Sequence, residues 1–99
     1  MTQQQYKFVI LNLADNVAVA LDEIPENEKI YISEDTFLKI INKIEFGHKF
    51  SIKKINQGEP IVKYGEIIGR SSRVIEPGEH VHIHNVEGNR GRGDRVERN

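Results

Sequence analysis

The chain has 99 residues, a formal net charge of −1 and no cysteine. A chain of this length makes one domain that buries only roughly 60% of the surface its unfolded form exposes, so an oligomer or a bound ion would add useful stability. The lack of cysteine excludes disulfides, thiolate metal sites and a cysteine nucleophile, and the interspersed acids and bases exclude a body-wide field for nucleic acid.

The N-terminal stretch "MTQQQYKFVILNLADNVAVAL" has no basic region ahead of its apolar run, and Asn12, Asp15 and Asn16 interrupt that run well short of a membrane span. No membrane and a cytoplasmic location are therefore expected. Isoleucine and valine are abundant, and such β-branched residues favour pleated, half-buried surfaces. In chain order the expected strands are Lys7 to Leu13, Val17 to Leu21, Lys29 to Ser33, Phe37 to Ile44, Lys49 to Lys54, Pro60 to Lys63, Ile67 to Ile68, Ser72 to Val74 and His80 to Asn85.

A weak repeat sharpens this reading. "IPENEKI" from Ile24, "INQGEPI" from Ile55 and "IEPGEHV" from Ile75 each place a residue tolerant of positive φ between apolar anchors, the pattern of strand, tight turn, strand. The glutamate after each turn reads as a solvated turn residue. One stretch is ambiguous. "SEDTFLKIINKI" sets Phe37, Ile40, Ile41 and Ile44 at helical spacing behind a Ser33 cap, but "YISEDTFLKI" also reads as a hairpin turning at Glu34-Asp35, and we expect mainly strand. Short strands and tight turns throughout predict a mainly β domain, a small barrel or clip.

Four segments carry candidate chemistry. "ADNVAVAL" opens on Asp15-Asn16, locally a turn signal. "FGHKF" places His48 and Lys49 just past a glycine, where an imidazole can titrate near neutrality or simply be satisfied by a carbonyl. "VKYGEIIGR" places Lys63 and Tyr64 before Gly65, suited to grip a carboxylate, or else a solvated lysine beside a core ring. "GEHVHIHN" sets His80, His82 and His84 at alternate positions, so in a strand they share one face while Val81 and Ile83 enter the core. Such imidazoles have Cβ atoms about 7 Å apart and can converge on one divalent ion. Three in a row rarely all converge, and His82 and His84 are preferred as metal ligands because His80 follows the Pro77-Gly78 turn. The alternative is an exposed polar face.

The end of the chain, Asn89 to Asn99, carries Arg90, Arg92, Arg95 and Arg98 among glycines. A segment this polar cannot offset its own ordering entropy, so residues 89–99 are expected to be a flexible tail that a partner orders.

Taken in order, "DNVAVAL", "GHKFSIKKI", "GEPIVKYGEIIGR" and "IEPGEHVHIHN" resemble the N-terminal SAF-type domain of the altronate dehydratase family, itself similar to galactarate dehydratase and the sulfolactate sulfo-lyases. The resemblance covers most of Asp15 to Asn85. It implies a β-clip fold, here residues 1–88, that accompanies a large metal-dependent catalytic subunit, fused or as a separate chain. It implies a hydro-lyase that eliminates water from a sugar acid, with the small subunit inactive alone. On that reading His48 and Lys49 are catalytic, Lys63, Tyr64 and Asn16 bind substrate, and a divalent metal, Fe2+ or Mn2+, is shared with the large chain. The alternatives are a carbohydrate-binding or assembly module without a catalytic role, and the small subunit of a sulfolactate-type C–S lyase.

Overall fold

A computed structural model describes residues 6–88. The expected arginine-rich tail therefore lies outside the described residues. Among the described residues nine short strands, all paired antiparallel, run in the order β1 (Phe8–Val9), β2 (Val17–Ala20), β3 (Lys29–Ser33), β4 (Thr36–Lys39), β5 (Lys49–Ser51), β6 (Pro60–Lys63), β7 (Glu66–Ser71), β8 (His80–Val81) and β9 (Val86–Gly88). They form one sheet in the order β1-β2-β5-β8, the hairpin β3-β4, and a sheet in the order β6-β7-β9. The mainly β expectation holds, and the ambiguous segment is a hairpin with its turn at Glu34-Asp35.

Tight turns organise the core. The three repeats seen in the sequence are joined by a fourth, Ile44-Glu45-Phe46-Gly47-His48-Lys49-Phe50, and the isoleucines pair as two isolated bridges, Ile24 with Ile44 and Ile55 with Ile75. Each bridge is reciprocal, with N–H···O distances of 2.8 and 2.9 Å in both directions. Asn27, Gly47, Gly58 and Gly78 occupy the same place in the four loops, at φ of 75, 85, 86 and 87°. Their amides donate to the carbonyls of Ile40, Ala20, Ser71 and Ser51 in turn, so each loop is stitched to its bridge partner. The two halves are thus copies of one another.

All four bridging isoleucines are completely buried or nearly so, in two clusters. The first gathers Ile24, Ile30, Ile40, Ile44 and Phe50, with Phe8 edge-on to Phe50 at 5.7 Å. The second gathers Val17, Ile55, Ile61, Ile75 and Val81. Each such side chain contributes about 1.5–3 kcal/mol on burial, which is why elements of two to six residues persist. Gly78 joins the halves: a Cβ there would stand 2.0 Å from the Lys39 carbonyl oxygen, and its own carbonyl accepts from Ile41 at 2.9 Å.

The strand expectations are corrected at several ends. No strand forms over Ser72 to Val74, because the Ser71 hydroxyl bonds the Arg73 carbonyl and bends the chain ahead of the Ile75 bridge. Ile67 to Ile68 is the middle of the longer β7, and Phe37 to Ile44 stops at Lys39: the Ile40 amide still bonds the Glu28 carbonyl across the hairpin, and the Ile41 amide then leaves it for the Gly78 carbonyl. Lys7 to Leu13 and Lys49 to Lys54 shorten to β1 and β5. The largest correction is at His80 to Asn85: β8 ends at Val81, a turn follows, and β9 begins at Val86. Val81 is buried as expected, but Ile83 is 84% exposed rather than in the core.

Candidate metal and anion site

β5 and β8 pair antiparallel, with Lys49 opposite Val81 and Phe50 opposite His80. This register leaves His48, the residue just before β5, diagonally across from His80 and level with His82. In the loops from Ile55 and Ile75, the glutamate after the left-handed glycine folds back to cap its own turn, Glu59 Oε1 accepting from Asn56 N at 2.8 Å and Glu79 Oε1 from Glu76 N at 2.9 Å. The first loop has Pro25 at the donor position and so no amide to cap. In the fourth loop that glutamate position is His48. Its ring instead reaches across the sheet.

The three imidazoles of His48, His80 and His82 come together, with one ligand nitrogen from each within 4.8 Å of the others. Their rings are nearly parallel: His48 and His80 centroids are 5.1 Å apart at 10°, His48 and His82 4.8 Å at 17°, His80 and His82 5.4 Å at 18°. His48 Nδ1 and His80 Nε2 are 2.9 Å apart, which requires one to carry a hydrogen and the other to accept it. His84 lies tilted against His80 at 5.4 Å, outside the group of three.

The surroundings of His80 favour its neutral form. Burial holds His80 below the ordinary histidine value, reinforced by repulsion from His48, His84, His82 and Lys49. Burial likewise lowers Lys49, helped by the Lys63 ammonium, so these two lysines share one positive region. A cavity of about 300 Å³ opens beside Lys49, lined by it and by Ile68, His82, Ile83, Val86 and Gly88.

A divalent ion fits this donor set. Three imidazole nitrogens within 4.8 Å of one another are donors of the type that would hold such an ion. Neutral imidazole is the ligand form, and the shared hydrogen must leave as an ion binds.

The remaining expected site residues are placed as follows. Lys63 sits over the Tyr64 ring, 5.1 Å from its centroid, at the tip of the β6-β7 hairpin. Tyr64 and Gly65 both have positive φ, 56 and 80°, the pattern of a type I′ turn in which asparagine and glycine are the usual residues. Asn16 is not brought to the histidines. Its amide donates to the Pro60 carbonyl at 2.9 Å and accepts from Val62 N at 2.8 Å, which clamps β6. Its neighbour Asp15, 2% exposed, accepts from Gly65 N at 2.8 Å and so holds the same hairpin at its tip. Burial opposes ionisation of Asp15, but backbone N–H groups of Gly65, Tyr64, Asn12 and Leu11 together bring its carboxyl below the ordinary value.

Sequence reasoning missed two residues here. Asn42 Oδ1 accepts the His80 amide at 3.1 Å, and Asn85, fully buried, bonds the backbone of both His80 and His82. The signal for His48 was the fourth repeat, disguised by histidine in the place of glutamate.

Residues 6–89 match the family model described as the altronate/galactarate dehydratase SAF domain. The chain is 35% identical over 82 residues to altronate dehydratase of Bacillus subtilis and 34% identical over 83 residues to that of Escherichia coli, covering 83% and 84% of this chain but 16% and 17% of those proteins. It thus spans about a sixth of the length of these two relatives. It is also 34% identical over 86 residues to (2R)-sulfolactate sulfo-lyase subunit alpha of Chromohalobacter salexigens, covering 81% of this chain and 92% of that protein.

Proposed function

This chain belongs to the altronate/galactarate dehydratase SAF-domain family, and on that premise we propose that it is the small part of a lyase acting on a sugar acid or a related hydroxy acid. The observation that carries the proposal is the convergence of His48, His80 and His82 beside Lys49, whose own neighbour in charge is Lys63. These imidazoles are the ligands this chain offers to a divalent ion shared with a large catalytic chain. An ion so held supplies Lewis-acid polarisation of a substrate oxygen.

The chain's own residues bind and orient. Lys49 and Lys63 attract the substrate carboxylate into the cavity beside His82, and Tyr64 offers a hydroxyl at the hairpin tip. Lys49, which gives up its proton more readily than an ordinary lysine, is the residue here suited to take the proton α to that carboxylate. Loss of that proton and of the β-hydroxyl, together one water, leaves an enol, which ketonises by taking a proton at C3 to give the 2-keto-3-deoxy acid. His48, expected as a base, is in this reading a ligand. His84 stands beside the group as a further imidazole for the ion to recruit.

Among the described residues no carboxylate joins the histidine group, and in this reading the remaining ligands come from substrate or a partner chain. A protein of this size named as a subunit, 92% covered by the match, supports the two-chain arrangement and keeps the C–S lyase reading open. The test is to purify the tagged chain from its native cells with whatever large chain accompanies it. The complex is assayed with altronate, galactarate and sulfolactate for keto-acid or sulfite release. Elimination that needs the complex and collapses in the His48→Ala/His80→Ala/His82→Ala variant is expected. Full activity in that variant, or none with any substrate, overturns the proposal.

A further inference from the structure

We infer that Asn85 is a positioning residue for the histidine group, its buried amide fixing the backbone of His80 and His82 so that both imidazoles meet His48. The inference rests on the reading that these three nitrogens hold a divalent ion.

Asn85 has no exposed surface, yet its side chain makes no contact with a ligand nitrogen. Its Oδ1 accepts from His82 N at 3.0 Å, and its Nδ2 donates to the His80 carbonyl at 2.9 Å. These two bonds straddle Val81, whose side chain is locked in the core, so the peptides on either side of Val81 cannot rotate. The Asn85 amide closes the turn on the His82 carbonyl at 3.1 Å, and its carbonyl accepts from Ser72 at 3.0 Å. The turn is thereby tied to the loop after β7.

This arrangement explains why the alternation of "HVHIH" breaks where it does. A strand continued past Val81 would bury Ile83, whereas the turn turns Ile83 out to solvent and leaves the His82 ring stacked on His48 at 4.8 Å. Ligand groups must be held to within about 0.5 Å for a site to be preorganised, and a buried side chain bonded to the backbone of two of them supplies that restraint.

The experiment uses the full chain with Co2+ as the probe, comparing wild type, Asn85→Ala and Ile61→Val. The last trims the core cluster that contains Val81 without touching a histidine. Visible absorption reads Co2+ affinity and ligand geometry, and thermal melting reads stability. Imidazole 15N shifts of the metal-free chain read the hydrogen bond between His48 and His80. Asn85→Ala is expected to weaken Co2+ binding about tenfold or more, to change the absorption band shape, and to erase the shift signature of the His48–His80 bond. Ile61→Val is expected to lower the melting temperature while leaving Co2+ affinity within about twofold of wild type.

A folded Asn85→Ala chain with wild-type affinity, spectrum and shifts overturns the inference. If that variant does not fold, Asn85→Ser, smaller yet able to form one of the two bonds, is read by the same criteria. Should wild type bind Co2+ no better than the triple histidine-to-alanine variant, the ion reading fails by itself. The metal-free shifts then decide the role of Asn85: altered shifts uphold it and unaltered shifts refute it.

Discussion

His48 and His80, 32 residues apart in the chain, face each other with rings tilted by only 10° and with Nδ1 of one 2.9 Å from Nε2 of the other. Two things place them there: the β5-β8 register, and the substitution of histidine for the glutamate that caps the equivalent turns at Glu59 and Glu79. The position that caps the turn in two other loops here carries an imidazole that reaches across the sheet.

Restoring the glutamate tests that idea. His48→Glu should cap the amide of Glu45 as Glu59 and Glu79 cap theirs. It should raise the unfolding free energy of the metal-free chain by about 0.5–1.5 kcal/mol, while ion binding is lost. Urea denaturation and Co2+ titration of the same sample check both halves. A less stable variant would mean that the histidine contacts hold the turn better than the carboxylate does.

The pH dependence follows from His80. Its folded value lies below the ordinary 6.5, so the unfolded chain binds the proton more readily. Its contribution is therefore without penalty above about pH 6.5. Stability falls as pH drops from there toward the lower folded value, beneath which the loss levels off. Denaturation midpoints at pH 7.5, 6 and 5 should decline in that order, and His80→Gln should flatten the decline. An equal slope in wild type and His80→Gln would refute this.

Asp15 works in the acid range with the opposite logic. Its folded carboxyl sits below the ordinary 3.8, so it contributes stability above that value, which is lost as pH falls through the folded one. Asp15→Ala removes the acceptor of the Gly65 amide at the exposed hairpin tip and should cost about 0.5–1.5 kcal/mol at neutral pH. A melting temperature unchanged by this substitution would show that the hairpin tip holds itself.

Tyr64 occupies a left-handed conformation that a bulky residue adopts at a cost. Tyr64→Asn should relieve it and raise stability by up to about 1 kcal/mol, after the loss of the Lys63 contact over the ring. In the reconstituted complex the same change should raise KM for the acid substrate. A stabilised variant with unchanged KM would assign Tyr64 to the turn alone.

The sequence by itself determined the fold class and the turns. Three of the four isoleucine loops were legible because a positive-φ residue between apolar anchors is a local signal, and backbone sterics act over a few residues. It also marked His48, Lys49, Lys63 and the histidine row as polar groups beside buried strands. Tertiary structure alone decided which of them meet. Whether "HVHIHN" runs on as a strand or turns after Val81 depends on a buried amide at Asn85 and on space for Ile83, neither of which alternation can register. Asn16 and Asp15 read as a local turn, yet their side-chain bonds go to Pro60, Val62 and Gly65, far along the chain. Period-two patterning specifies which face a side chain takes only while pairing continues. Where a strand of two residues ends, long-range hydrogen bonds and core volume choose the partner.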